Sequence, residues 1–223
     1  MQDLIKQEQF ELEVLDRLNS RKILSHLVFA GGTMLRLCFG LNRFSGDLDF
    51  WMVKGITPPK LFHDVKECLS QWYFFKDAKN KFHTLLFEIR SQNYPRSLKI
   101  EIRKETKKIK TEQAIAYCPQ AQQQVLLSVV SLPDMMTAKL EAFLDRKEIR
   151  GVFDMEFLIK KGIRLKAPVA SLQKLLKGID ALTKKDYTVR LGSLLEEEYR
   201  KYYTTENFKI LKSAVREFLE AKS

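Results

Sequence analysis

Residues 26–52, HLVFAGGTMLRLCFGLNRFSGDLDFWM, decide how this chain is read. Leu27, Val28, Phe29 and Ala30 form an apolar run of strand length, Gly31-Gly32-Thr33 marks a tight turn, and residues 34–39 begin a helix. Glycine lets backbone N–H groups approach an anion, and a helix N-terminus adds partial positive charge, so the turn predicts a phosphate cradle. Residues 47–53 read as a second strand. Strand side chains alternate faces, which sets Asp47 and Asp49 together on one face and turns Leu48 and Phe50 into the core. Two carboxylates so placed need a cation to stay ionised together. Magnesium suits them, because it takes oxygen ligands and shares them with phosphates.

Outward from this stretch, Leu98, Ile100 and Ile102 alternate with Lys99, Glu101 and Arg103, the period of a strand with one buried face. Glu101 can then share the face of Asp47 and Asp49, or stand as an ordinary solvent-facing residue. Further strands are expected over residues 82–89 and 125–130, with a polar connection at 120–124. Helices are expected where apolar residues recur at helical spacing. One carries Leu4, Ile5, Phe10, Leu12, Val14, Leu15 and Leu18 and has a structural role. Another starts at Thr57-Pro58-Pro59 and buries Leu61, Phe62, Val65, Cys68, Leu69 and Trp72. The pattern Ser131-Leu132-Pro133-Asp134 opens a helix over 132–148, with Met136, Leu140, Phe143 and Leu144 as its core stripe.

The order Gly31-Gly32-Thr33, then Arg43-Phe44-Ser45-Gly46-Asp47-Leu48-Asp49-Phe50, resembles the first motif of the AbiEii/AbiGii toxin-like nucleotidyltransferases, a branch of the polymerase-β-type superfamily. The resemblance implies an α+β fold: a polymerase-β-type mixed sheet with flanking helices, followed by a C-terminal helical bundle. It also implies transfer of a nucleotidyl group from an NTP to an acceptor hydroxyl, with two Mg²⁺ ions on Asp47, Asp49 and Glu101, the last as the third carboxylate of such enzymes. Gly31, Gly32, Thr33 and Lys139 would position the triphosphate, with Arg43 and Ser45 as further NTP-binding candidates. The family's later helix carries a Lys, an Arg and then R-D-x-x-D. Lys139, Arg146, Arg150 and Asp154 fit that pattern, but Gly151 stands where the first Asp is expected. Asp154 is a candidate for activating the acceptor hydroxyl, with an interhelical salt bridge as the alternative. Relatives of this kind act as toxins of bacterial toxin–antitoxin or phage-defence systems, which implies a cognate antitoxin.

At 223 residues and 45% hydrophobic content the chain can bury a sizeable core. A catalytic domain is expected over residues 1–130 and a helical domain over 131–223. Later apolar positions, from Val169 and Leu172 to Phe218 and Leu219, predict the C-terminal bundle. The net charge of +11 favours a polyanionic partner such as nucleic acid or nucleotide, or marks simply a basic protein. The resemblance implies an RNA acceptor, tRNA included, which the charge agrees with but does not separate from a protein hydroxyl or a small molecule. Lys99, Arg103, Lys104, Lys107, Lys108 and Lys110 form a basic run that could follow an RNA backbone. Cys38, Cys68 and Cys118 make neither a disulfide framework nor a zinc cluster. Without a signal peptide or an apolar run of membrane-spanning length, a cytoplasmic protein with no membrane partner is expected. The other class of reading is a catalytically idle nucleotide- or RNA-binding module, favoured by Gly151 and opposed by the intact Asp47 and Asp49.

Overall fold

The computed structural model describes residues 2–105 and 108–221. Cα proximity divides the chain into two compact units, Met1–Gly40 with Phe44–Ser131, and Leu41–Arg43 with Leu132–Ser223. The chain is α+β, with a mixed sheet of seven strands in the first unit and, among the described residues, eight α-helices in all.

The first unit is built around β1 (Leu27–Ala30), whose four residues are all buried. A fully apolar strand needs cover on both faces, and β1 lies near the middle of the sheet, between β2 (Asp47–Met52) and β7 (Val125–Val130). The strand order is β3-β4-β5-β2-β1-β7-β6, with β3 (Phe74–Asn80), β4 (Thr84–Arg90), β5 (Leu98–Arg103) and β6 (Thr111–Ala116). β2 runs antiparallel to β1 and parallel to β5. The α1 helix (Gln2–Ser20), α2 (Gly31–Phe39) and α3 (Pro58–Ser70) complete this unit. Leu48, Leu98, Ile100 and Ile102 are fully buried, as the alternation predicts.

Some elements differ from expectation. Helix α2 starts at Gly31, so Gly31-Gly32-Thr33 is its first turn rather than a turn before it. Strands β3 and β6 were not expected: they are the two sheet edges, mostly solvent-facing, and their polar sequences FFKDAKN and TEQAIA lack an apolar face to betray them. Phe82 precedes β4 and is exposed. Trp72 lies beyond the end of α3 and outside its buried stripe, with the Arg17 guanidinium 3.7 Å from its ring centroid.

The second unit contains α4 (Leu132–Arg146), α5 (Ile149–Lys160), α6 (Val169–Asp180), α7 (Glu197–Glu206) and α8 (Lys209–Glu220). The helix expected to reach residue 148 stops at Arg146 because Lys147 takes a left-handed φ of 56°. Phe143, Phe153, Leu172, Leu175, Phe208 and Leu211 fill the core of this unit. Buried Glu156 accepts a hydrogen bond from the Leu211 amide at 3.1 Å, satisfying a donor at the start of α8, and pairs with Lys160 at 3.2 Å.

Candidate active site

Asp49 lies against the start of α2, and this contact dictates a glycine at position 31. Gly31 has φ +82°, which residues with a side chain rarely adopt, and a Cβ there would overlap Asp49 Oδ2 and come 3.0 Å from Asp49 Cβ. The helix N-terminus in turn favours a carboxylate beside it. Thr33 is fully buried, and its hydroxyl donates to the Asp47 carbonyl oxygen at 2.6 Å, tying α2 to the first residue of β2. Of the expected cradle, Thr33 thus spends its hydroxyl proton inside the protein. Ser45, in the irregular stretch before β2, is half-buried.

The parallel register of β2 and β5 aligns Asp47 with Lys99 and Asp49 with Glu101. Aligned residues of neighbouring strands point to the same face, so Asp47, Asp49, Lys99 and Glu101 share one face of the sheet. Asp47 is exposed, whereas Asp49 and Glu101 are half-buried. The Lys99 ammonium is ion-paired with Glu101. Its hydrogen bond to Glu101 raises its pKa against desolvation, and the fields of Glu101, Asp47 and Asp49 add to that. Among the described residues, no group of three His, Cys, Asp or Glu side chains stands ready to hold a metal ion. Lys99 is a counter-charge on this face.

Two acids on α1 escaped the sequence reading. Glu8 and Glu11 are buried, and Glu8 accepts a charge-assisted hydrogen bond from Arg36 at 2.5 Å. Neither carboxyl oxygen of Glu11 has a hydrogen-bond partner among the described residues, and burial pushes its pKa well above the ordinary carboxylate value. Glu8 and Asp47 add to that rise, and Arg36 opposes it. A signal was available: residues 4, 8, 11, 15 and 18 form one helical stripe, and acids at 8 and 11 interrupt its leucines.

In the second unit, Arg43 and Lys139 meet on Asp154. The Arg43 guanidinium grips the carboxylate with two bonds, Nε to Oδ1 at 2.6 Å and Nη2 to Oδ2 at 2.7 Å, and Lys139 Nζ reaches Oδ2 at 2.6 Å. Arg43 is 4% and Asp154 0% exposed. Burial pushes the Asp154 pKa up, but Arg43 and Lys139 outweigh burial and hold it below the usual carboxylate range. Both oxygens are engaged and shielded from solvent, and the lowered pKa makes Asp154 a weak proton acceptor. Arg146 and Arg150 are exposed, Arg150 pairing with Glu148 at 2.9 Å. A Cβ at Gly151 would meet Phe143 Cβ at 3.6 Å and the Lys139 carbonyl oxygen at 3.7 Å, ordinary contacts, so packing does not demand the missing carboxylate's replacement by glycine.

Three described members of the basic run stand at separate places on the sheet. Lys99 sits among the carboxylates, Arg103 aligns with Trp51 at the far end of β2, and Lys110 directly precedes β6 on the opposite edge of the sheet. Lys107 lies outside the described residues. Among the described residues no helix is long and apolar enough to cross a membrane.

Residues 13–221 match the family described as nucleotidyl transferase AbiEii toxin of type IV toxin–antitoxin systems, and the chain belongs to that family. It is therefore a nucleotidyltransferase of the toxin–antitoxin class. No curated protein matches it. A candidate nucleotidyltransferase from H. pylori, known from a crystal structure, is similar with a TM-score of 0.60 and 21% identity, over 96% of this chain and 97% of that one. JHP933 from Helicobacter pylori gives a TM-score of 0.57 and 20% identity, covering 96% of each chain. At these identities the two structures bear on the fold alone.

Two outcomes follow for stability. Asp154→Asn strands the buried Arg43 charge and should cost about 3–5 kcal/mol in urea denaturation. Because the folded pKa of Asp154 is depressed, its contribution is present above the unfolded pKa of about 3.9 and lost as pH falls through the lower folded value. The variant should therefore lose the steepest part of the acid-unfolding curve; an unchanged curve would show the pair to be energetically idle.

Glu11 behaves in the opposite sense. Its raised pKa makes its contribution full below the unfolded value and progressively lost as pH rises toward the folded one. Glu11→Gln should raise the Tm at pH 8 more than at pH 5, measured without added metal. An equal change at both pH values would mean that Glu11 does not titrate between them.

Proposed function

We propose that the chain transfers a nucleotidyl group from an NTP to a hydroxyl of an RNA acceptor, with magnesium held on the carboxylate face. The observation that supports this best is the β2–β5 register, which gathers Asp47, Asp49 and Glu101 on one face while α2 begins at Gly31 beside Asp49. The donor set fits magnesium: all its groups are carboxylate oxygens, and the Lys99 ammonium already stands in their field as a positive charge. Bound ions would neutralise the departing pyrophosphate and acidify the acceptor hydroxyl.

Asp47 and Asp49 would hold the metal, and Glu101 would join them by exchanging its Lys99 partner for it. The freed Lys99 then faces phosphate. Amides at the start of α2, opened by Gly31 and Gly32, bind the triphosphate, and Ser45 offers a further hydroxyl. Lys139 keeps ammonium N–H groups beyond its bond to Asp154 and is assigned to phosphate. Asp154 acts as a positioning residue that holds Arg43 and Lys139, in place of the proton-accepting role first considered for it. The acceptor oxygen bonds to the α-phosphorus as the bond to pyrophosphate breaks, and the proton of the acceptor hydroxyl passes to solvent. The net charge of +11 supports RNA as the acceptor, and the family supports a cognate antitoxin as the protein partner.

The test is pyrophosphate release from each NTP, with magnesium and total bacterial RNA. Asp47→Ala should abolish release while leaving the melting temperature without metal equal or higher, because it removes like-charge repulsion. Full transfer by that variant would sink the metal assignment. NTP and RNA binding without release, in the unaltered protein, would identify the idle binding module instead.

Lys139→Ala should raise the KM for NTP and lower kcat/KM by the equivalent of about 1.5–3 kcal/mol, the range for a hydrogen bond to a charged group. Unchanged kinetics would confine Lys139 to its pairing with Asp154.

A further inference from the structure

A cavity of about 600 Å³ opens in the first unit, between the start of α1 and the 91–97 loop that joins β4 to β5. Its lining includes Lys6, Phe74, Arg90, Gln92 and Asn93, and no carboxylate. Neither Lys6 nor Arg90 forms an ion pair among the described residues, and both are exposed. Phe74 leaves 68% of its surface in solvent, so its ring is open to a ligand. The wall behind it is packed and hydrogen-bonded. Tyr94 stacks on Phe10 with ring centroids 4.5 Å apart and donates its hydroxyl proton to Glu13 at 2.7 Å, and Ser91 Oγ accepts from the Asn93 amide at 3.2 Å.

The position of the groove is as telling as its chemistry. Ile89 of β4 aligns with Leu98 of β5, and Asp47 aligns with Lys99, so the 91–97 loop lies at the same end of the sheet as the carboxylates. Phe74 aligns with Arg90 and brings β3 to that end too. With neighbouring strands about 4.8 Å apart, β4 and β3 stand roughly 10 and 14 Å from β2. Gln7, next to Lys6, donates to the Gly46 carbonyl oxygen at 3.4 Å, immediately before Asp47.

We propose that this groove seats a single-stranded segment of the RNA acceptor, with phosphates on Lys6 and Arg90 and a base stacked on Phe74. Unpaired cations beside an exposed ring are what a flexible polyanion with aromatic bases requires, and the amides of Gln92 and Asn93 can meet base edges. The assignment rests on RNA being the acceptor.

The experiment is fluorescence anisotropy of a labelled ten-nucleotide single-stranded RNA on the full chain, across a salt series. Lys6→Gln with Arg90→Gln should flatten the log–log salt slope by about 1.4, two phosphates at about 0.7 each for a single strand. Phe74→Ala should weaken binding roughly tenfold to a hundredfold, and Phe74→Trp should restore it. Melting temperature and NTP binding should stay at their unaltered values. Unchanged slope and affinity in both variants would overturn the groove, as would normal RNA binding combined with loss of a protein that copurifies with the unaltered chain. Nucleotide transfer to protein instead of RNA by the unaltered chain would defeat the RNA-acceptor reading itself. Normal RNA labelling by variants that bind the oligonucleotide normally would defeat only the groove.

Discussion

Carboxylates on adjacent positions of neighbouring strands repel one another, and the first unit is arranged around that repulsion. Asp47, Asp49 and Glu101 can share a face because Lys99 stands among them and the positive end of α2 begins beside Asp49. The same arrangement fixes topology. A parallel pair cannot be closed by a hairpin, so the chain between β2 and β5 must cross over, and it does so through α3, β3 and β4. The return from β4 then delivers the 91–97 loop to the carboxylate end of the sheet. Acidic face and cationic groove are two results of one parallel pairing.

The helical unit handles buried charge differently. Asp154 is out of water and holds two cations, so its geometry is over-determined: a bidentate guanidinium on one side and an ammonium on the other. Such a group is poor at accepting protons and good at fixing its partners. Glu11 is the counter-example in the first unit, a buried acid whose oxygens find no hydrogen-bond donor among the described residues, and which lies in the field of Asp47. Asp154 is stabilised as an anion, whereas the surroundings of Glu11 penalise that form.

What was legible in the sequence is what periodicity encodes. The β1 run, the alternation in β2 and β5, and the stripe of α1 all follow from burial on a fixed period, and they carried the carboxylate face with them. The edge strands β3 and β6 were not legible, because a strand with little to bury carries little pattern. Trp72 misled for a related reason: its spacing fits α3, but the helix had already ended. The partnership of Arg43 with Asp154 spans 111 residues of chain, beyond the reach of any local pattern, and so Arg43 read as a phosphate ligand rather than as the clamp on a buried acid. Glu8 and Glu11 were visible as acids in an apolar stripe, a local conflict of the kind that marks functional or strained positions.

Residues Leu41–Arg43 belong with the helices although they are encoded in the midst of the sheet unit. The C-terminal helices are consequently not a detachable cassette. A fragment beginning at residue 132 would carry Asp154 and Lys139 into its core without the guanidinium that completes them, and ribosomal synthesis makes Arg43 long before its partner exists. The contact can close only once both partners have been made. Any exchange of helical domains between relatives would have to carry this short loop along, so the boundary that matters for recombination is a pairing in space and not a point in the chain.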